Sequence, residues 1–165
     1  TLRYRNLSLS FLIDVRYGGV MYSGTVSDLR VNGMAEETIG KNRTDIVDKG
    51  VKQDGTENTT AITPYQFWSN NYSSKVSEAN VFDATFVKLR EMVLSYQMPQ
   101  RWFKNCFIGS LALGVEGRNL WLMKSNVPHI DPETNIFGPS AVGSGVEYSA
   151  IPTTRSWGFN IKLTF

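Results

Sequence analysis

The stretch RSWGFNIKLTF, residues Arg155 to Phe165, alternates between polar or small and large apolar side chains from its second residue onward. The apolar positions are Trp157, Phe159, Ile161, Leu163 and Phe165. A repeat of two places these residues on one face of a β-strand and the others on the opposite face. Transmembrane β-barrels use such strands, with about 9–11 residues per crossing, and so do edge strands of soluble sandwiches. The stretch predicts a strand at residues 153–165 and leaves both architectures open.

The same alternation occurs at three places upstream, which predicts strands at about residues 2–18, 81–97 and 107–123. The apolar positions are Leu9, Phe11 and Ile13 in the first of these strands and Leu111, Leu113 and Val115 in the third. Their opposite faces carry serine, glycine and pairs of opposite charges. Together the four segments predict an all-β fold of antiparallel strands.

The strand predicted at 81–97 differs, because its apolar residues change from odd-numbered to even-numbered positions along its length. Met92 and Leu94 have one parity near its end, whereas Val87 and Leu89 have the other. A β-bulge, which inserts one extra residue into a strand, explains such a change. The facing of this strand therefore stays open.

The connections between the predicted strands are long, short and long. Residues of about 19–80 and 124–152 form the long ones, and the short one lies near residue 100. Outer-membrane barrels show this asymmetry, since their outer loops are long and their periplasmic turns are short. A structureless loop of this length argues against a compact soluble domain. Both long connections are therefore predicted to be extracellular loops.

An aromatic cluster lies in the first long connection, among asparagine and serine residues. Its members are Tyr65, Phe67, Trp68 and Tyr72. These rings can contact a ligand or a partner protein, or they can anchor the loop on its own chain. Anchoring is the simpler interpretation, and the sequence leaves both open.

Charge and cysteine content exclude several functions. The 17 basic and 15 acidic residues give no electrostatic case for nucleic-acid binding. The single cysteine, Cys106, excludes an internal disulfide, and no apolar run approaches the roughly 18 residues of a transmembrane helix. His129, Asp131 and Glu133 are close in sequence but lack a familiar metal-ligand spacing. We expect no metal, no cofactor and no catalytic activity.

Some runs of the sequence indicate a protein family more specifically than the alternation does. They are Leu7 to Gly19, Phe86 to Glu91 (FVKLRE) with Leu94-Ser95-Tyr96 and Pro99, Gly117 to Trp121 (GRNLW) with Ile130 to Glu133 (IDPE), and Pro152 to Phe159 (PTTRSWGF) with Leu163 to Phe165. These runs resemble those of SusC/RagA-type TonB-dependent outer-membrane transporters and span nearly the whole chain. Val15 is a departure, because a glycine is common at that position in the family.

The resemblance implies that the chain forms the C-terminal four antiparallel strands of a 22-stranded transmembrane β-barrel. These four strands would carry two long extracellular loops, and the plug domain would lie outside these residues. It also implies uptake of a glycan or peptide across the bacterial outer membrane, with a SusD-type surface lipoprotein and TonB as partners. Phe165 would then belong to the terminal signal read by the barrel-assembly machinery, and the apolar strand faces would contact membrane lipid.

A soluble carbohydrate-binding β-sandwich is the alternative. It would use the aromatic cluster as a platform for sugar rings. It predicts that Trp121 and Trp157 are buried in a protein core.

Overall fold

The computed structural model describes residues 1–39, 45–73, 76–104, 107–138 and 145–165, without the side chains of residues 39 and 71–73. The described chain is mostly β-structure, as predicted. Its strands are β1 (Leu2–Tyr4), β2 (Leu7–Arg16), β3 (Val20–Ser23), β4 (Ile46–Val47), β5 (Ala61–Ile62), β6 (Val81–Asp83), β7 (Phe86–Gln97), β8 (Ser110–Ser125), β9 (Val146–Glu147) and β10 (Ser156–Thr164). Its α-helices are α1 (Gly24–Val31), α2 (Glu36–Ile39) and α3 (Pro64–Gln66). A π-helix spans Phe67–Ser73, and 3-10 turns span Ser77–Asn80 and Gln100–Trp102.

The chain forms two compact units, each assembled from segments that are distant in sequence. The strand unit comprises Thr1–Tyr17, Thr85–Ser125 and Thr153–Phe165. The loop unit comprises Gly18–Ala84 and Asn126–Pro152. Within the described residues, no helix has both the length and the apolar character needed to cross a membrane.

The strand unit is one antiparallel sheet of five strands in the order β1-β2-β7-β8-β10. The extra strand corrects the prediction of one continuous strand at residues 2–18. Arg5 adopts a φ of +50°, and the chain reverses there so that Tyr4 is paired with Leu7. Residues 2–4 therefore pair with the start of β2 instead of extending it. The sequence signal for this reversal is a change of the apolar positions from even, at Leu2 and Tyr4, to odd from Leu7 onward.

The strand predicted at 81–97 is also divided. Val81–Asp83 pairs with β3 in the loop unit, whereas Phe86–Gln97 belongs to the main sheet. Within β7 the register shifts, so that Leu12 is paired with Glu91 and Ile13 with Leu89. Arg90 is therefore the extra residue, and the bulge indicated by the change of parity is confirmed.

The loop unit occupies most of the two connections predicted as long loops, but it has regular structure of its own. Strands β6, β3 and β9 form a small sheet, and β4 pairs with β5. A small core of Met21, Ala84 and Val127 is covered by Phe82 and Ile130. Apolar residues from both segments of this unit thus pack together, which gives the polar connections a fixed structure.

Candidate functional site

The first candidate site is a continuous apolar face of the main sheet. Leu9 is paired with Leu94, and Leu94 is paired with Val115. Val115 is in turn paired with Phe159 of β10. Because paired residues of antiparallel strands share a face, these four side chains form one apolar row across four strands.

All ten strand positions predicted to face lipid lie on this apolar face. They are Leu9, Phe11, Ile13, Leu111, Leu113, Val115, Trp157, Phe159, Ile161 and Leu163. Leu9 and Leu111 are half-buried and the other eight are exposed, Phe159 to 85%. The sheet therefore presents a broad apolar surface that the described chain leaves uncovered.

The opposite face is polar or small in the same rows. Ser8 and Ser95 are register partners, and their hydroxyls are 2.8 Å apart. In the same row the side chain of Asn160 lies over Gly114, where a Cβ would be 2.3 Å from the Asn160 Oδ1. Glycine at 114 thus leaves the room that this amide occupies. The sheet has one apolar and one hydrogen-bonding surface, as its sequence alternation predicts.

The bulge in β7 lies beside a charged cluster. Arg90 forms an ion pair with Asp14 of β2 and donates a 3.2 Å hydrogen bond to Oδ1 of Asn119 in β8. Asn119, which has a φ of +51°, donates from its amide to the carbonyl of Thr154 at 3.0 Å. These contacts connect β2, β7 and β8 with the segment that leads into β10.

Lys88 belongs to the same region of the strand unit. The residue is 4% exposed, and its Nζ donates a 2.8 Å hydrogen bond to the Thr153 hydroxyl. Arg118 lies 3.7 Å from the Glu91 carboxylate and 3.9 Å from that of Glu116. The charged residues of the FVKLRE and GRNLW runs therefore serve to join neighbouring strands.

The second candidate site lies in the loop unit around Arg30, at the end of α1. The Arg30 side chain is 11% exposed, and its Nε donates a 2.6 Å hydrogen bond to Glu37. Its Nη1 donates to the carbonyl of Ala79 at 2.6 Å and to Oδ1 of Asn80 at 2.9 Å. The guanidinium carbon is 4.5 Å from the ring centroid of Trp68, within cation–π range. Arg30 therefore holds Trp68 within the loop unit.

Helix α3 and the π-helix position the aromatic residues. Thr63 and Gln66 form a capping box, in which each side chain bonds the backbone N–H of the other residue. Pro64 follows the cap as the first helical residue, where its missing N–H is not needed. Phe67 and Trp68 then meet edge to face, with centroids 5.1 Å apart. The run Thr63-Pro64-x-Gln66 is the sequence signal for this helix start.

A cavity of about 570 Å³ lies beside these two rings. Phe67, Trp68, Ile46 and Pro128 provide its apolar walls. Glu36, Glu37 and His129 provide its polar groups. Its volume is typical of small-ligand sites, which are about 300–1,000 Å³.

Glu37 and His129 form a hydrogen-bonded pair at the edge of this cavity. His129 Nε2 lies 3.0 Å from the Glu37 carboxylate and 3.4 Å from the backbone nitrogen of Glu36. Burial raises the pKa of Glu37, but hydrogen bonds with His129 and Arg30 outweigh it and lower the pKa to about 2. Glu37 is therefore a carboxylate throughout the physiological pH range.

The predicted aromatic cluster is divided between two places. Phe67 and Trp68 line the 570 Å³ cavity, whereas Tyr65 is exposed and borders a separate cavity of about 340 Å³. Tyr72 lies in the π-helix, but its side chain falls outside the described part of the chain, as does all of Cys106. The alternation and the motifs of the sequence did not identify Arg30, Glu36 or Glu37 as site residues. Their contacts reach residues in other segments, and no local sequence pattern indicates such contacts.

The three residues considered as metal ligands do not form a cluster. His129 is paired with Glu37, and the Asp131 side chain accepts a hydrogen bond from the backbone N–H of Glu133. In the ranges that the structure describes, no three His, Cys, Asp or Glu side chains are arranged to hold a metal ion.

Known proteins resemble this chain both in sequence and in fold. No protein-family model matches the chain. The chain is 23% identical over 168 residues to the TonB-dependent receptor P3 of Formosa agariphila, a match that covers 99% of this chain and 15% of that receptor.

The fold is similar to that of the RagAB peptide importer. In the open-open state of that importer the TM-score is 0.64 at 19% identity, and in the closed-closed state it is 0.60 at 17% identity. These matches cover 97% and 98% of this chain and 16% of the chain in each structure. The resemblance indicated by the sequence runs is thereby confirmed: this chain is similar in sequence to a TonB-dependent receptor and in fold to part of a peptide importer.

Proposed function

We propose that this chain is the C-terminal part of the 22-stranded outer-membrane barrel of a TonB-dependent nutrient importer. The observation that supports this best is the apolar face, which crosses four hydrogen-bonded strands and is uncovered in the described chain. Removing a large apolar side chain from water contributes about 1.5–3 kcal/mol. Soluble monomers rarely expose a patch this broad. Contact with membrane lipid covers such a face.

The polar face suits the interior of a barrel. Its hydroxyls, amides and ion pairs can contact water or a plug domain, and alternation between lipid and lumen is the rule in outer-membrane strands. The ten positions on the apolar face are accordingly proposed to contact lipid. Phe165, which is exposed and stacks on Phe107 with ring centroids 5.7 Å apart, is proposed to belong to the assembly signal.

The proposed nutrient and the proposed partners are based on the resemblance to TonB-dependent transporters. The RagAB structures are those of a peptide importer, and the sequence runs are equally compatible with a glycan importer. A SusD-type surface lipoprotein is the proposed partner of the loop unit. TonB and the barrel-assembly machinery are the proposed partners of the whole protein. The proteins that this chain resembles are a receptor and an importer, not enzymes.

The exposure of two tryptophans does not support the soluble carbohydrate-binding sandwich. That alternative predicts Trp121 and Trp157 in a protein core, but they are 60% and 63% exposed.

Site-directed spin labelling tests the proposed function. In a Cys106→Ser background of the full-length protein, labels are attached at Phe159→Cys and at its neighbour Asn160→Cys. The protein is reconstituted into lipid vesicles. Oxygen, which partitions into lipid, should relax the label at 159 strongly, while a water-soluble nickel chelate should not. The label at 160 should show much lower oxygen access.

Equal access of the nickel chelate to both labels would contradict a lipid-facing position for Phe159. So would isolation of the full-length protein from the soluble fraction without detergent. A matched pair at Ile161→Cys and Lys162→Cys should repeat the pattern, because these neighbours also lie on opposite faces.

A further inference from the structure

An open groove crosses the apolar face of the main sheet near the end where β7 connects to β8. Its volume is about 530 Å³, within the range of small-ligand sites. Its apolar walls are Leu7, Leu94, Leu113, Val115, Phe159 and Ile161. These residues belong to two neighbouring register rows, so the groove runs across β2, β7, β8 and β10. It is a hydrocarbon-lined depression in the surface that is proposed to contact lipid.

The groove lies in a part of the strand unit that is rich in positive charge. We define this turn end as residues 1–9, 94–115 and 159–165, from the row of Leu9 to the β7–β8 connection. Its sequence contains five basic side chains and no acidic side chain, the basic ones being Arg3, Arg5, Arg101, Lys104 and Lys162. The two residues of the turn end outside the described ranges, Asn105 and Cys106, are uncharged at neutral pH.

Arg5 places one of these charges on the apolar side of the sheet. Tyr4 is paired with Leu7, and Leu7 is paired with Tyr96, so both tyrosines share the apolar face with the groove. The Arg5 guanidinium carbon lies 5.4 Å from the ring centroid of Tyr4, within cation–π range. Leu7 and Tyr96 line the groove. The Arg5 charge therefore lies beside the groove and on the same face.

Exposed aromatic residues accompany the cations at the turn end. Trp102 is exposed and lies between Arg101 and Lys104 in the β7–β8 connection. Phe107 and Phe165 are exposed as well, and their rings stack on one another. Aromatic rings and long basic side chains at the border of an apolar surface are typical of a membrane–water interface. The turn end thus has the composition that suits lipid headgroups.

The other two cations of the turn end lie on the polar face of the sheet. Arg3 is paired with Ser8, and Lys162 is paired with Ala112. Both pairs lie on the face opposite the groove, because neighbouring positions of a strand alternate between faces. Arg3 and Lys162 therefore provide matched controls, with the same charges and a similar place along the strands.

We propose that this groove binds an acyl chain of a phospholipid with an anionic headgroup, and that Arg5 contacts the phosphate of that lipid. The groove walls would cover the hydrocarbon chain, and the guanidinium would donate charge-assisted hydrogen bonds to phosphate oxygens. Arg101 and Lys104 would add positive charge around the headgroup, which disfavours a headgroup that carries its own ammonium. The proposal rests on the proposed function, in which the apolar face contacts lipid, and it specifies the lipid class at one place on that face.

Native mass spectrometry of the delipidated full-length protein in detergent tests the proposal, because it resolves single bound lipids. The probe is palmitoyl-oleoyl phosphatidylglycerol, and the control is phosphatidylcholine with the same chains and no net charge. We expect the first phosphatidylglycerol to bind roughly five times more tightly than the first phosphatidylcholine. The preference should decrease as ammonium acetate is raised. Glycerol 3-phosphate should not displace the lipid, because it has no chain to occupy the groove.

Charge variants assign the preference to the apolar side of the turn end. Arg5→Gln should reduce the preference for phosphatidylglycerol, and the triple variant with Arg101→Gln and Lys104→Gln should abolish it. The double variant Arg3→Gln and Lys162→Gln, on the polar face, should keep the wild-type preference. Unchanged circular dichroism would show that each variant keeps its β-structure.

A groove variant tests the acyl-chain part of the site. Leu113→Trp should weaken binding of both lipids, because the larger ring fills the groove that Leu113 lines. Ile13→Trp places the same ring on the apolar face away from the groove and should leave both affinities unchanged. Equal effects of the two tryptophans would contradict a chain bound in this groove.

The lipid site would be overturned by equal binding of the two lipids, by a preference that survives the triple variant, or by a loss in the polar-face variant as large as that in Arg5→Gln. The spin-label experiment decides the membrane location separately. A lipid-facing Phe159 with equal binding of both lipids would refute only the lipid site. An Arg5-dependent preference in a protein that is soluble without detergent would refute only the transporter.

Discussion

The hydroxyl of Ser23 donates a 2.6 Å hydrogen bond to the carboxylate of Glu147, although 124 residues separate them in sequence. Glu147 is 1% exposed and accepts a second hydrogen bond of 2.6 Å from the Thr25 hydroxyl. Ser23 is also the N-cap of α1, where its oxygen accepts from the backbone N–H of Val26. One buried carboxylate thus joins the start of α1 to the second segment of the loop unit.

We expect Glu147→Ala to destabilise the loop unit by about 1–3 kcal/mol, since two hydroxyls lose their buried acceptor. Hydrogen exchange of residues 20–31 and 145–150 in the full-length protein measures this effect. Glu57→Ala, at an exposed position, is the control. Exchange in the Glu147 variant that matches the control would show that this carboxylate has no structural role.

Replacing Arg30 with lysine should loosen the aromatic segment. Lysine keeps the charge but lacks the planar fork that bonds Glu37, Ala79 and Asn80 together. We expect faster hydrogen exchange across residues 64–82, equivalent to about 1–2 kcal/mol of lost stability. Arg101→Lys, at an exposed position in the strand unit, should leave that segment unchanged. Equal exchange in both variants would refute a central role for Arg30.

The loop unit should lose stability in acid through Glu37. Its pKa is lowered from 4.5 to about 2 in the folded chain, so its carboxylate contributes stability above pH 4.5. That contribution should disappear as the pH falls from 4.5 to 2. The stability difference between the wild-type protein and Glu37→Gln, followed by tryptophan fluorescence in urea, should therefore shrink over this range.

Glu36→Gln is the matched control for this pH dependence, because the structure gives the neighbouring carboxylate no partner among the described residues. Its difference from the wild-type protein should be small at every pH. A difference for Glu37→Gln that stays constant down to pH 2 would contradict the lowered pKa.

The ion pair between Asp14 and Arg90 should stabilise the bulge. A double-mutant cycle with Asp14→Asn and Arg90→Gln should give a coupling of about 0.5–1 kcal/mol, because both side chains are partly exposed. Thermal unfolding of the full-length protein measures it. The pair of Glu116 and Arg118, which is 3.9 Å apart, should give a weaker coupling. A larger coupling for that second pair would contradict this order.

The sequence predicts the strand unit well because its information is local. Alternation predicts which residues of β2, β8 and β10 share a face, and the change of parity between Leu89 and Met92 predicts a bulge in β7. The reversal between Tyr4 and Leu7 is missed, although Arg5 and Asn6 interrupt the apolar repeat and shift it from even to odd positions. Whether the shared face contacts lipid stays a prediction.

The loop unit is much less predictable. Its decisive contacts, such as Ser23 with Glu147 and Glu37 with His129, join residues 92 to 124 positions apart. Each of these residues is an ordinary polar residue within its own segment, so no periodicity marks it. The capping box at Thr63 and Gln66 is the exception, because its two partners are three residues apart.

The division of the loop unit into two segments constrains the order of folding. Its segments, Gly18–Ala84 and Asn126–Pro152, flank β7 and β8 in the chain. Strands β7 and β8 are joined by a short connection, so they can pair early at a small loss of chain entropy. Ser23 can contact Glu147 only after the residues between them have become available for folding. Pairing of β7 with β8 then shortens the loop that this contact must close. Maturation of the loop unit should therefore lag behind formation of the β7–β8 hairpin, leaving the cavity beside Trp68 among the last features to form.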